Sequence, residues 1–514
     1  MKTKFAFLFS LLLLLPLTSC DFSFRPGTST EKPTASTTTE GATATDNKTT
    51  GADGNKAELI TVFSINDVHG SLKENPEEEE LGIAKLEYAI KHDADYDPAT
   101  SIIISCGDTW QGGFLANREK TISDELLSMA GVEAMVIGNH EFDWGIDNIK
   151  ALKAVSPFPF LACNIRNGNG SHTNELSENS TIIEKGGRKI GIIGAMGGGQ
   201  ESSISTNSLA GYSFDTRTSI IQEEVNYLQT QNCDLILLGI HDSSTSSYVN
   251  SIANTFNTTQ IQGIFGAHTH TFENTMVGTN KIPFVQAGSN TRGYAKMSFS
   301  VKSKKAIEHS YVRAFYSGYN VDTSLLNQDI LNKISGADSK YNGSEVLATL
   351  SGDFRRYYEL DKFVPEIMLN QAVKYGFKNK NELIALHNLS GIRANLSSGP
   401  LTREKLFKVE PFENKVKIIK GVFGKNLSSL LGTIKGSYQS EYYAYMRESE
   451  EAFASDKTYD VVTIDFVSEG KYGQRIFGSA MQYDIRDTDP YIFEIMVDYF
   501  KENENKVYSA SDYR

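Results

Sequence analysis

The chain has little cysteine, no excess of positive charge and, after its first twenty residues, no long apolar run. Four cysteines in 514 residues do not make a disulfide framework. Cys106 and Cys233 stand in the apolar runs IIISC and CDLILLG, and with Cys163 they read as buried thiols, neither paired nor metal-bound. Against 50 lysines and arginines stand 63 acids, a net charge of −13. That balance argues against a surface for a nucleic-acid polymer. A small anionic substrate stays open, because a metal or a few arginines reverse the field locally. Beyond the N-terminus no segment holds about 18 continuous apolar residues, the length of a membrane span. A mean hydropathy of −0.32, with 39% hydrophobic and 22% charged residues, describes an ordinary soluble globular protein. Its length allows two or three domains.

What is present begins with export. Lys2 and Lys4 precede the run FAFLFSLLLLLPL, too short to span a bilayer comfortably, and the run ends in LTSC. This pattern resembles a bacterial lipoprotein signal, residues 1–20, cut before a lipid-modified Cys20. It implies a protein outside the cytoplasm, held at the cell membrane or surface through that lipid. The alternative is a plain secretory signal with an unrelated cysteine. Residues 21–57 are rich in Thr, Ser, Gly, Ala, Asn and Pro and cannot bury enough apolar surface to order themselves, so they read as a tether.

From Leu59 onward, short β-rich runs alternate with amphipathic helical patterns. ELITVFSIND, SIIISCGD, AMVIGNH, FPFLACNI, KIGIIGA, CDLILLGIH, IQGIFGAH and IPFVQAG read as strands. LGIAKLEYAIKH and RTSIIQEEVNYLQTQ read as helices. The result is a layered α/β domain over 58–320. A lone polar helix follows within a 321–342 linker, and a second, smaller α/β domain occupies 343–514. No internal repeat is evident. The run EEEE at 77–80 reads as a solvated loop.

Chemistry collects at the strand ends. FSINDVHGS presents Asp67 and His69, and SCGDTWQGG presents Asp108. VIGNHEFDWG presents Asn139, His140 and Asp143; LLGIHDSS presents His241; FGAHTHT presents His268 and His270. Taken alone, Asn139 could be a helix N-cap and each His pair a surface pair. Taken together, five motifs place Asp, His or Asn directly after an apolar strand. Alternate residues on a strand share a face, so Asp67 and His69 could reach one ion, as could His268 and His270. A mixed set of carboxylate, imidazole and amide ligands suits two divalent transition ions bridged by one carboxylate.

The motifs D-x-H, G-D, G-N-H-E, H and G-x-H-x-H, in that order, resemble the calcineurin-like metallophosphoesterase superfamily. NHEFDWG followed by a second α/β domain resembles its bacterial and animal 5′-nucleotidase branch. The resemblance implies an α-β-β-α catalytic fold and two divalent ions, zinc, manganese or cobalt. It assigns Asp67, His69 and His270 to one ion, Asn139, His241 and His268 to the other, and Asp108 to both. A bridging hydroxide then attacks phosphorus, and His140, oriented by Asp143, stabilises the phosphoryl group or protonates the leaving oxygen. Glu141 is left a structural role. Ala267 stands where the family has a second Gly before H-x-H, a change a methyl group should not upset.

In the second domain, HNLSGIRANL and VEPFENKV resemble the family's specificity segments. The resemblance places Asn388 and Arg393 on the substrate, with Arg393 gripping its phosphate. Arg356, in DFRRYY, matches a second phosphate arginine by spacing, although ELDK follows where the family has Gly-Asn. Phe412 and Phe466 would sandwich a nucleobase. The family's Gly-Gly-Asp-Gly reads here as Gly470, Lys471, Tyr472 and Gly473, so the ribose-binding carboxylate is missing. The expected activity is a 5′-nucleotidase acting on a nucleotide or another small phosphoester. A 2′,3′-cyclic phosphodiesterase or a nucleotide-sugar hydrolase on the same scaffold is the enzymatic alternative. A surface binding protein that has lost catalysis is the other.

Overall fold

The computed structural model describes residues 57–315, 320–372, 383–431, 438–439, 443–446, 453–469, 473, 477, 484–503 and 506–513. Cys20, the signal, all of the tether before Ala57 and Tyr472 lie outside them. No described helix is long and apolar enough to cross a membrane.

The strand Leu59–Ile65 shows how the sequence builds layers. Its side chains alternate, and both faces are apolar, so both are covered. Ile60 and Val62 enter one core with Ile102, Ile104, Ile190, Ile192, Leu235, Leu237, Phe265 and Val285. Phe63 and Ile65 point the other way, into a core shared with Ile83, Leu86, Ile90, Leu126 and Leu127. The strand Leu235–His241 repeats the pattern, sending Ile236, Leu238 and Ile240 into a third core with Ile221, Val225, Val249 and Ile252. Two sheets therefore pack face to face, and helices cover each outer face. Gly82–Lys91 and Ile122–Ala130 cover one, Thr218–Thr230 and Ser247–Thr255 the other. This is the α-β-β-α arrangement.

Among the described residues the first sheet has six strands: Lys305–Val312, Tyr294–Ser300, Leu59–Ile65, Ser101–Ser105, Val132–Val136 and Phe160–Leu161, in that order. The last four run parallel. In the second sheet Arg188–Met196, Leu235–His241, Gly263–Phe265 and Ile282–Ala287 are parallel neighbours, flanked by antiparallel Ser180–Lys185 and Phe272–Val277. Loops that leave the C-terminal ends of parallel strands share one edge. That edge is where the polar motifs stand.

Three readings change. FPFLACNI is not one strand but two short ones, Phe160–Leu161 and Ile165–Arg166. Asn164 breaks it by donating to the Met196 carbonyl (2.9 Å) and accepting from the Met196 amide (2.8 Å), so a side-chain amide replaces the ladder. The joining helix spans Gln328–Tyr341, starting where Asn327 caps the Asp329 and Ile330 amides, and it is not solitary. Ile330, Ile334 and Ala337 are buried in the main core, and Lys333 pairs with Glu125 at 2.5 Å. The EEEE run is not merely solvated. Glu80 is buried and pairs with Lys408 at 2.6 Å, while Glu77 pairs with Lys405 at 3.1 Å.

After the joining helix, the described residues form a three-stranded and a six-stranded sheet. In the larger one, Leu383–Asn388 lies beside Thr458–Ile464, which pairs with Lys415–Phe423. Phe114 of the first domain packs 5.7 Å from Phe407 and 6.3 Å from Phe493, so apolar core continues across the seam.

Candidate metal centre and substrate cleft

The motif residues converge on one point. Donor atoms of Asp67, His69 and His270 lie within 4.8 Å of one another, as do those of Asp108, His241 and His268. The groups touch through Asp108, whose Oδ2 stands 3.1 Å from His241 Nε2 and 4.0 Å from His69 Nε2. Asp67 also faces both ways, with Oδ1 3.6 Å from His270 Nε2 and 4.0 Å from His241 Nε2.

Local backbone makes this convergence possible. Asp67, His69, Asp108, His268 and His270 all have φ between 49° and 75°, the left-handed region that non-glycine residues seldom occupy. Such strain persists only where surrounding bonds enforce it. Glu141, fully buried, supplies part of that enforcement. Its Oε2 accepts from the Asp108 amide (2.8 Å) and the Gly138 amide (2.7 Å), and its Oε1 from the Thr109 amide (2.6 Å). Asn66 does the same for Asp67: its amide donates to Asp67 Oδ2 and to the Gly288 carbonyl, each at 2.6 Å. Gly138 is required by space, since a Cβ there would stand 2.3 Å from Asp108 Oδ1.

These donors fit divalent ions. His69 and His241 each direct Nδ1 to a backbone carbonyl, Gln111 (3.1 Å) and Cys106 (2.8 Å), which turns each Nε2 toward the centre. Burial pushes His69 down to about 3 and His268 down to about 4, and holds His270 well below its ordinary value. Those imidazoles are neutral at neutral pH, the form that binds a metal. His241 is opposed by burial, but the Asp108 carboxylate outweighs it and raises the ring to about 10. Burial acts to raise Asp108 as well, and the charges of His241 and His140 overcome it, so its carboxyl lies well below the usual range. Asn139 does not act as a helix cap. Its side chain makes no cap bond, and Oδ1 is buried without a partner, as a ligand atom would be.

Beside the centre, His140 Nδ1 meets Asp143 Oδ2 at 2.6 Å, and the His140 amide donates to Asp108 Oδ1 at 2.8 Å. Burial lowers His140, and Asp143 with Asp108 more than reverses this, so the ring is raised and readily positive. The Phe412 ring lies 6.1 Å from the His140 ring, and the Arg393 guanidinium carbon lies 5.7 Å from Phe412. The positive charge of Arg393 reaches His69, His140, His268 and His270. Asn388 is buried, with its amide on Ser390 Oγ at 3.0 Å and its Oδ1 unpartnered.

Phe466 is half-buried in the turn Asp465–Ser468, which Asp465 ties to the Phe412 loop by accepting from the Lys415 amide at 3.1 Å. Arg356 bonds within the second domain, where its amide donates to Asn395 Oδ1 at 2.9 Å. Its charge acts on Asp361, and its guanidinium carbon lies 5.1 Å from the Tyr357 ring. Asn117 and Lys120, polar residues around a helix end with no motif to mark them, both reach Glu413 (3.2 and 3.3 Å) beside Phe412. Ala267 is fully buried in the inter-sheet core.

Residues 60–272 match the calcineurin-like phosphoesterase model, and residues 359–447 match the 5′-nucleotidase C-terminal domain. The chain thus joins a calcineurin-like phosphoesterase domain to a 5′-nucleotidase C-terminal domain. It is similar to the 5′-nucleotidase of Rattus norvegicus, 23% identical over 448 residues, which cover 76% of this chain and 73% of the relative. It is similar also to the apyrase of Tabanus yao, 22% identical over 402 residues and 70% of each chain. The crystal structure of a 5′-nucleotidase precursor from Thermus thermophilus has the same fold, with a TM-score of 0.67 at 18% identity. It covers 88% of this chain and 99% of that one. With these two domains the chain is a 5′-nucleotidase-like phosphoesterase hydrolase. Calcineurin-like phosphoesterases use a dinuclear metal site, and the two donor groups joined at Asp108 are where this chain can hold such a pair.

Proposed function

We propose that this chain is a 5′-nucleotidase working outside the cytoplasm, anchored by lipid on Cys20, that releases phosphate from nucleotides. The observation that carries this reading is the shared Asp108, which joins two donor groups beside the His140–Asp143 pair and Arg393. Asp67, His69, His270 and Asp108 would hold one ion; Asn139, His241, His268 and Asp108 would hold the other. When bound, the two ions supply the charge that activates the attacking water and neutralises phosphoryl oxygens.

The chain's own residues do the rest. Arg393 holds the phosphate, since a guanidinium can bond two of its oxygens at once. His140, kept positive by Asp143, stabilises charge on the transferring group and can pass a proton to the leaving oxygen. Phe412 and Phe466 hold the base, with Asn388 and Arg356 completing the second domain's contribution. Residues 58–320 serve as the catalytic domain and 343–514 as the specificity domain, joined through 321–342. The relatives' names support a nucleotide substrate, and the signal pattern at the N-terminus supports export.

A substrate panel tests this, with AMP, a 2′,3′-cyclic nucleotide, a nucleotide sugar and an aryl phosphate, each assayed with Mn²⁺, Zn²⁺, Co²⁺ and Mg²⁺. Preferred cleavage of AMP with a transition ion is expected. Preferred cleavage of a diester would replace the reading with a phosphodiesterase, and no turnover at all with a binding protein.

A further inference from the structure

His387 and Glu410 form a pair that the reaction itself does not use. His387 stands in the strand Leu383–Asn388, directly before Asn388, and Glu410 directly precedes Pro411 and Phe412. Both side chains are fully buried. The Nδ1–H of His387 donates to the Asn388 carbonyl at 2.8 Å, so Nε2 is left to face Glu410 Oε1 at 3.1 Å. Among the described residues no hydrogen bond reaches either oxygen of that carboxylate, so the His387 nitrogen is the polar group set against it.

The two loops that carry Arg393 and Phe412 close around this pair. The turn Leu389–Gly391 folds over the imidazole so tightly that a Cβ on Gly391 would stand 2.6 Å from His387 Cε1. Beyond the pair, the Arg393 amide donates to the Val409 carbonyl at 2.9 Å. A buried polar pair is a poor source of stability, because apolar side chains of similar volume avoid its desolvation cost. What such a pair can supply is direction. Apolar packing lets two loops slide, whereas one nitrogen–oxygen contact fixes their register.

We infer that His387 and Glu410 are positioning residues, which lock the Asn388–Arg393 loop to the Pro411–Phe412 loop and so set the distance between phosphate grip and base stack. This inference rests on the reading of Arg393 and Phe412 as substrate contacts.

The test uses the full, metal-loaded chain with AMP as substrate and inorganic phosphate as inhibitor. Glu410→Leu and the double variant His387→Leu/Glu410→Leu should each raise KM for AMP, and weaken inhibition by phosphate, on the order of tenfold. That is a moderate effect for groups misplaced by a fraction of an ångström. kcat and two metal ions per chain should be retained. Glu410→Gln, which keeps a polar group of the same size facing His387, should stay within about threefold of the parent in KM. The double variant leaves no unpaired buried charge, so it decides the matter if Glu410→Leu does not fold. A double variant with the parent's KM and phosphate inhibition would overturn the inference, since packing alone would then position the loops. Arg393→Ala and Phe412→Ala separate the two readings. If neither changes KM, the substrate-site reading fails; if they do and the pair variants do not, only this inference fails.

Discussion

Glu141 offers a perturbation whose size can be worked out bond by bond. Its carboxylate accepts three backbone N–H groups, from Asp108, Thr109 and Gly138, and is fully buried. Replacing it by Ala strands three donors at about 1–3 kcal/mol each, or about 3–9 kcal/mol if no water enters. That range overlaps the whole stability of a typical domain, about 5–15 kcal/mol, so Ala is a poor probe. Gln is better. Its carbonyl can take the Oε2 position, which serves Asp108 and Gly138, but its amide then confronts the Thr109 N–H. One donor is left unpaired, and the expected loss is about 1–3 kcal/mol. Urea unfolding in the presence of a chelator measures this directly, with an unchanged slope showing that the unfolded state is unaffected. Adding the divalent ion should then widen the gap between Glu141→Gln and the parent, because the same bonds hold Asp108 in its strained conformation. A loss below about 0.5 kcal/mol would mean that the Asp108 loop is held by other contacts, and the reasoning would be refuted.

His140→Ala should lower kcat by roughly 10²–10⁴-fold while metal content stays at that of the parent, because His140 carries charge and a proton and is assigned no ion. Loss of metal together with activity would contradict that division. Phe412→Ala and Phe466→Ala should each weaken nucleotide binding by about 1–3 kcal/mol, seen in KM, with much less effect on an aryl phosphate. Equal effects on both substrates would remove the base-stacking role. Cys20→Ala should release the protein from membranes or block its processing, as fractionation of expressing cells would show. An unmutated protein found free in the medium would contradict the lipid anchor.

Much of the architecture could be read from the chain because two signals coincide in it. Strands such as Leu59–Ile65 are apolar on both faces, which requires covering layers, and their polar motifs follow the last apolar residue, which places them at one sheet edge. What could not be read depends on long-range bonds. Glu141 sits in a motif but shows its use only when three amides from two loops meet its oxygens. Asn66 adjoins Asp67, yet its partner carbonyl belongs to Gly288, more than two hundred residues away. The left-handed backbone at Asp67, His69, Asp108, His268 and His270 is only faintly signalled, since Asp and His enter that region more readily than most side chains but still in a small minority of positions. FPFLACNI read as one strand because its apolar run is unbroken to Cys163; the break comes from Asn164 bonding Met196. EEEE read as solvent-exposed because charge runs usually are, and the lysines that meet it lie in the other domain.

The central claim is that one carboxylate, Asp108, serves two ions at once. Metal content by mass spectrometry of the parent and of Asp108→Ala, after equilibration with a single transition ion and removal of the excess, tests it most directly. The parent should hold two ions per chain. Asp108→Ala should lose the pair as a unit, falling well below two, with hydrolysis falling in parallel. Two tightly held ions and undiminished turnover in Asp108→Ala would contradict the account.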